Sequence, residues 1–196
     1  MKRKPPKKSA LTSIRIIAGR WRGRKLPVVE VDGLRPTGDR IRETLFNWLD
    51  GDITGARCLD LFAGSGVLGF EALSRGAAHV TALDASRVAV SALVEASETL
   101  ETSDHRAMQT DAIQWLASKP DEQFDLVFID PPFQAGLLDK ALALLEASQC
   151  LHEEAIIYIE REHDCEHSLP QLPAGWRCYK DKVAGKVSYG LYTRDN

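Results

Sequence analysis

Apolar and polar positions along this chain follow two rhythms. "ARCLDLFA", "HVTALDA", "FDLVFID" and "EAIIYIE" are short, nearly unbroken apolar runs, the pattern of strands buried on both faces. Between them lie longer periodic stretches that predict helices. "SGVLGFEALSRG" is one, ended by Gly76. "SRVAVSALVEASETL" is another, with an apolar stripe at Val90, Leu93, Val94 and Leu100, and "GLLDKALALLEAS" is a third. "HRAMQT" reads as a short strand and "DAIQWLAS" as a short helix. Such alternation predicts a mostly parallel sheet with helices on both faces. The end, "GWRCYKDKVAGKVSYGLYTR", is two strand-like runs around Ala184-Gly185, an antiparallel hairpin that brings the sheet to seven strands. Ahead of the alternation, Ile41, Leu45 and Leu49 recur at i, i+4 and i+8 in an amphipathic helix, with Asp39 as its N-cap. In "IRIIAGRWRGRKLPV", Ile14, Ile16, Ile17, Trp21 and Leu26 interleave with arginines around Gly19 and Gly23, which predicts a small β-hairpin with a basic face. The expected organisation is a disordered basic tail over 1–12, a basic hairpin arm over 13–30 and an α/β domain over 31–196.

Charge sharpens this picture. The net charge of −3 divides into +10 over the first 29 residues, which carry no acid, and −13 over the rest. A basic arm on an acidic body points to a polyanionic partner addressed by one end, with Arg15, Arg20, Arg22, Arg24 and Lys25 as the contacts. Arg35, Arg40 and Arg42 would clamp the same polyanion or cover a ligand. The 196 residues fit one domain, and 44% hydrophobic content is enough for a core. No apolar run approaches the ~20 residues of a membrane span. "MKRKPPKKSA" is followed by no apolar targeting segment, so a cytoplasmic protein is expected. The four cysteines lack C-x-x-C spacing and read as reduced thiols. His163, Cys165 and His167 in "HDCEH" alternate in a polar linker with no second cluster, a poor tetrahedral set, so no metal is expected.

Ligands of open parallel sheets bind beyond the carboxyl ends of the strands. The residues there are Asp60, Asp84, Asp111 and Asp130. Gly64-x-Gly66-x-x-Gly69 after Asp60 matches a dinucleotide fingerprint, so on the glycines alone a nicotinamide cofactor stays open. Asp60 argues against it, because a pyrophosphate avoids a neighbouring carboxylate. Four carboxylates at one mouth suit a cofactor with a sulfonium and an ammonium group, S-adenosylmethionine. Asp84 would accept from the ribose hydroxyls, and Asp111 with Ala112 would meet the adenine edge. "FIDPPF" ends a strand on a carboxylate, two prolines and a ring. Asp130 and the Pro131 carbonyl can hold an exocyclic amine, the prolines fix both oxygens through their φ angles, and Phe133 offers a face for a flipped base. Tyr158 and Glu160 lie at the same mouth, with Tyr158 expected in the core.

"DLFAGSG", "ALDAS", "TDA" and "DPPF" together resemble the motif series of Rossmann-like class I methyltransferases. "RIIAGRWRGRKLPV", "LRPTGDRIRETLFNWL", "CLDLFAGSGVLGFEALSRGA", "FIDPPF" and "VAGKVSYGLY" resemble more closely the bacterial 16S ribosomal RNA guanine-N2 methyltransferase family D. The resemblance runs from about Ile14 to Tyr192. It implies S-adenosylmethionine as donor, a guanine N2 amine of 16S RNA as acceptor, and the assembled or partly assembled small subunit as substrate of a monomeric enzyme. It implies Asp60, Phe62, Gly64, Ser65, Gly66, Asp84, Asp111, Ala112 and Asp130 at the cofactor, with Thr37 in a turn over its methionine end. Asp130, Pro131, Pro132 and Phe133 would be the catalytic set. Competing expectations are an amine methyltransferase on adenine in DNA or on a glutamine side chain, and a non-catalytic assembly factor for the small subunit.

Overall fold

The computed structural model describes residues 12–28, 38–132, 136–163 and 171–194. Arg35, Thr37, Phe133, Cys165 and His167 therefore lie outside the described residues, as do residues 1–11 of the expected tail and the expected turn at Pro36 and Thr37. The elements are β1 (Thr12–Arg15), β2 (Lys25–Val28), α1 (Asp39–Trp48), β3 (Arg57–Asp60), α2 (Val67–Ser74), β4 (His79–Asp84), α3 (Arg87–Thr99), β5 (His105–Gln109), α4 (Ala112–Ala117), β6 (Phe124–Ile129), α5 (Leu137–Ser148), β7 (Leu151–Glu162), β8 (Trp176–Ala184) and β9 (Val187–Arg194).

Strands β3 to β9 form one sheet in the order β5-β4-β3-β6-β7-β9-β8. Neighbours from β5 to β7 are parallel, and β9 runs antiparallel to both β7 and β8. The chain moves outward from β3 through β4 to β5, then returns to the other side of β3 with β6. That reversal opens a crevice above the ends of β3 and β6, where Asp60 and Asp130 stand. Along β6, Leu126 and Phe128 enter one core with Leu45 of α1, Phe70 of α2 and Leu93 of α3, while Val127 and Ile129 enter a second with Leu116 of α4 and Leu142 of α5. Both faces being covered explains why these strands read as unbroken apolar runs.

Two local expectations fail for identifiable reasons. The N-cap of α1 is Gly38, and no side chain caps that end. Asp39 sits one residue inside, where its carboxylate takes Arg42 at 2.6 Å instead of the orphan N–H groups. On α3 the buried positions are Ala89, Leu93, Ala96 and Ser97, while Val94 is 45% exposed. The alanines let the helix approach the sheet closely, so the contact stripe runs through its small residues. Leu93 and Leu100 are buried as expected.

The hairpin β1–β2 is antiparallel, with Ile14 opposite Leu26 and Arg15 opposite Lys25. It is seated on the body: Ile14, Ile16, Trp21 and Leu26 all belong to the first core. Its seat is polar as well. Glu71 of α2, fully buried, accepts the Ile17 N–H at 2.8 Å and the Ala18 N–H at 3.0 Å. Ser74 accepts the Trp21 N–H at 3.0 Å, and its own carbonyl takes the Arg20 N–H at 2.8 Å. Gly19 passes so close that a Cβ there would lie 1.8 Å from the Ser74 oxygen, at a φ of +81°. Arg42, expected to reach phosphate or cover a ligand, is instead fully buried, with Nη1 3.5 Å from Glu71 and Nη2 donating to the Arg15 carbonyl at 3.1 Å. A guanidinium with no exposure cannot grip RNA. Its work is to neutralise Glu71, together with Arg75, whose Nε donates to the same carboxylate at 2.8 Å.

Candidate active site

The mouth is built from turns that follow β3, β4, β5 and β6. After β3 the chain must turn sharply into α2, and Gly64 and Gly66 take positive φ values of 51° and 71° to do so. At Gly66 a Cβ would lie 2.2 Å from Leu93 Cδ2, so only glycine lets α2 begin against α3. Asp84, at the end of β4, holds this turn. One carboxylate oxygen accepts the Gly64 N–H at 2.8 Å and the other the Ser86 N–H at 2.7 Å. The side chain is half-buried, and each oxygen keeps a lone pair beyond these bonds. Ser65 and Phe62 are also partly exposed around the turn, Phe62 packing against the second core.

Asp60 lies deeper. It is 2% exposed, and burial followed by the charge of Asp84 pushes its pKa up to about 7, against the pull of hydrogen bonds from the Gly69 and Phe62 N–H groups. The Gly69 bond places the carboxylate at the N-terminus of α2, which favours negative charge. Asp60 is thus a carboxyl beneath the crevice floor, poised to ionise, while Asp84 is a half-open acceptor on its wall. Asp111 is exposed and caps α4 by accepting the Gln114 N–H at 2.9 Å; Ala112, next to it, is buried.

Across the crevice, Asp130 is half-buried, Pro131 buried and Pro132 exposed. Asp130 is close enough to Tyr158 that its charge, after burial and Glu160, helps hold that phenol well above the usual range. Tyr158 is fully buried, as expected, and donates to Glu160 at 2.8 Å.

The basic contacts spread over the hairpin rather than the mouth. Arg15, Arg20, Arg22, Arg24 and Lys25 are exposed, and so is Arg40 on α1. Arg20 lies over the Trp21 ring at 4.0 Å and pairs with Asp104 at 3.5 Å, and Arg24 donates to the Thr99 carbonyl at 3.2 Å. Arg15 and Arg22 line a hollow of about 240 Å³ that Asp39 and Glu43 also border. The residues that sequence reasoning missed are Glu71 and Ser74. The signal was present: an acid and a serine inside "GFEALS", a helix otherwise apolar on every side, whose eight residues are all buried.

A seven-stranded sheet in this order, with its reversed β9 and a glycine turn and acids at the switch point, defines the class I methyltransferase fold. It is shared with the methyltransferase-like protein SMU.776, 15% identical over 86% of this chain and 53% of that one, with a TM-score of 0.68. The family model "Conserved hypothetical protein 95" matches residues 14–193. The ribosomal RNA small subunit methyltransferase D of Escherichia coli K12 is 49% identical over 98% of this chain and 96% of its own, and that of Haemophilus influenzae 47% identical over 94% and 95%. The solved structure of the Escherichia coli protein yhhF has a TM-score of 0.87 at 47% identity, covering 94% of this chain and 99% of that one. The chain belongs to the ribosomal RNA small subunit methyltransferase D family. No described helix is long and apolar enough to cross a membrane.

Proposed function

We propose that this protein methylates the exocyclic N2 amine of a guanine in small-subunit ribosomal RNA, with S-adenosylmethionine as donor. The observation that carries the reading is the pairing, at one switch point, of the Asp84-braced glycine turn with Asp130-Pro131 one strand away. The acids fit the donor. Half-open Asp84 can accept two ribose hydroxyls, Asp60 places negative charge beneath a cation, and Gly64 and Gly66 bring backbone close to it. Asp111 and Ala112 would border the adenine, and Phe62 and Ser65 the rim. When bound, S-adenosylmethionine supplies a methyl carbon activated by its sulfonium.

The chain's own residues do the rest. A guanine N2 lone pair is delocalised into the ring and is a poor nucleophile. Asp130 and the Pro131 carbonyl accept its two N–H groups, which turns the lone pair toward the methyl carbon. On accepting the methyl group the guanine nitrogen would become cationic, and Asp130 would receive the proton it then sheds. Alignment of this kind is worth roughly 7–11 kcal/mol of barrier. Phe133 and Pro132 would carry the flipped base. Arg15, Arg22, Lys25 and Arg40, with Arg35, Arg20 and Arg24, would meet RNA phosphates on the assembled or partly assembled subunit. The name that the relatives share supports the RNA substrate.

The test is tritiated-methyl transfer to unmethylated small subunits, naked 16S RNA and DNA, followed by nucleoside analysis. N2-methylguanosine from subunits is the expected product. N6-methyladenosine from DNA, or no transfer to any of the three, would overturn the proposal.

A further inference from the structure

Cations gather in a second place besides the N-terminal arm. The hairpin of β8 and β9, residues 176–194, carries Arg177, Lys180, Lys182, Lys186 and Arg194 against one acid, Asp181, on a body whose net charge is −13. Two of the five are engaged by the fold: Lys180 Nζ donates to the Trp48 carbonyl at 3.1 Å, and Arg194 donates to the Leu151 carbonyl at 3.3 Å. Arg177 stands at the end of β8 far from the turn. Lys182 and Lys186 are exposed and form no ion pair among the described residues. Topology brings these two to the mouth. β9 runs back along β7, so Glu162 at the mouth end of β7 pairs with Val187 at the start of β9. The turn that precedes Val187 therefore lies beside the crevice. It is tight: Ala184 faces Val187 with Gly185 and Lys186 between them, and Gly185 takes a φ of +63°. His163 donates its N–H to the Lys186 carbonyl at 2.7 Å, which ties the turn to the end of β7. Register places Lys182. Asp130 lies one residue past the rung that joins Ile129 to Ile159. On the next rung Glu160 of β7 faces Tyr189 of β9, and Tyr189 faces Lys182 of β8. Phe128 and Tyr189 both enter the first core. Asp130, two residues past Phe128, and Lys182, opposite Tyr189, thus share one face of the sheet, three strand spacings or about 14 Å apart.

The N-terminal arm is placed differently. Arg20 and Arg24 meet Asp104 and Thr99, just before β5 and at the end of α3, which is the end of the sheet away from the mouth. Charge there attracts RNA but does not hold the nucleotides beside the reacting base. The β3 flank of Asp130 carries the glycine turn, given above to the methyl donor, so the RNA strand enters over β7, β9 and β8. We infer that Lys182 and Lys186, presented by the tight turn between β8 and β9, grip the phosphates that flank the target nucleotide. The inference rests on the reading of small-subunit RNA as the substrate. RNA is favoured over an acidic protein surface because the turn stands beside the crevice that the target nucleotide must enter, and a strand anchored there keeps its flanking phosphates within reach. The two lysines act as point charges on the RNA backbone and carry no base specificity.

The experiment compares the full-length wild type with the double variant Lys182→Ala, Lys186→Ala. Binding to unmethylated small subunits is measured over a range of salt, with single-turnover methyl transfer at saturating subunits alongside. Affinity at low salt should fall by about 10-fold, and the slope of log affinity against log salt should shrink by about one to two units. The saturated rate, S-adenosylmethionine affinity and unfolding midpoint should stay at their wild-type values. Wild-type affinity with a wild-type slope overturns the inference, and so does a lowered saturated rate with affinity unchanged. Position is read separately, by crosslinking from a photoreactive side chain introduced at Lys186. Crosslinks to nucleotides beside the methylated one are expected. Crosslinks confined to ribosomal proteins, or to RNA remote from the methylated nucleotide, overturn the inference. Binding and crosslinking are read without reference to the methylated product. A wild type whose product on small subunits is not N2-methylguanosine would therefore remove the guanine reading and leave the grip of Lys182 and Lys186 standing on its own results.

Discussion

The hairpin seat and the sheet mouth both bury carboxylates, and they treat them in opposite ways. At the seat, Glu71 receives two backbone N–H groups and the guanidinium groups of Arg42 and Arg75, so its charge is met on the spot by the fold itself. At the mouth, Asp60 has only N–H groups against it and Asp84 as an adjacent like charge, so burial wins and its pKa rises to about 7. A buried acid whose charge is balanced within the chain is architecture. A buried acid held beside a like charge, as Asp60 is beside Asp84, is set for a cation or a donor that arrives from outside.

Breaking the seat should give the largest effect on stability. Glu71→Ala removes the buried carboxylate beside Arg42, which keeps only Asp39 at the edge of the seat, and leaves two N–H groups unmet; it should cost about 3–5 kcal/mol in urea unfolding. At the mouth, Asp84→Ala should weaken S-adenosylmethionine binding by about 1.5–3 kcal/mol in calorimetry, the loss of a charged hydrogen bond, with a smaller change in unfolding.

The next prediction separates the two kinds of buried group by pH. Asp60 is raised from 3.8 to about 7, so the folded protein holds a proton that the unfolded chain has lost. Its contribution is full below pH 3.8 and is lost as pH rises toward 7, at about 1.4 kcal/mol per unit. His105 is lowered from 6.5 to about 4, by burial first and by His79 second. Its Nδ1 lies 3.2 Å from Ser97 Oγ, whose own proton goes to the Leu93 carbonyl, so the ring is neutral with Nδ1 donating. It destabilises as pH falls from 6.5 toward 4, a slope of the opposite sign. The two nearly cancel in that window. Asp60→Asn should unmask a rise in stability from pH 4.5 to 6.5 that the wild type lacks, measured by unfolding in urea at each pH; parallel profiles for the two proteins would refute the shift at Asp60.

The smallest effect belongs to the hairpin's outer surface. Arg20 and Arg24 are partly committed, to Asp104 and to the Thr99 carbonyl, whereas Arg15, Arg22 and Lys25 are exposed without such bonds among the described residues. Replacing the last three by alanine should reduce the slope of log affinity for small subunits against log salt by about two to three units and leave cofactor affinity unchanged. An unaltered slope would mean that RNA is gripped elsewhere.

Most of the sheet was legible because strands covered on both faces leave continuous apolar runs and glycines mark the turns. The mouth was legible because acids at strand ends carry a chemical meaning that spacing alone conveys. The seat was not. Arg42 reads as one more basic residue of "DRIRE", and only the approach of α2 turns it inward. The α3 stripe misled because alanine's small size, which permits close approach, also makes it a faint apolar signal. Asp39 looked like a cap because caps are judged by residue type, whereas the Arg42 guanidinium three residues on claims its carboxylate.

The central claim is that the mouth's acids serve chemistry and the seat's serve the fold. Its most direct test is the single-turnover methyl-transfer rate of Asp130→Ala on unmethylated small subunits, with its unfolding midpoint measured on the same preparation. A rate lower by about 10²–10⁴-fold with a midpoint at the wild-type value is the expected result. A wild-type rate, or a rate lost only in step with stability, would contradict it.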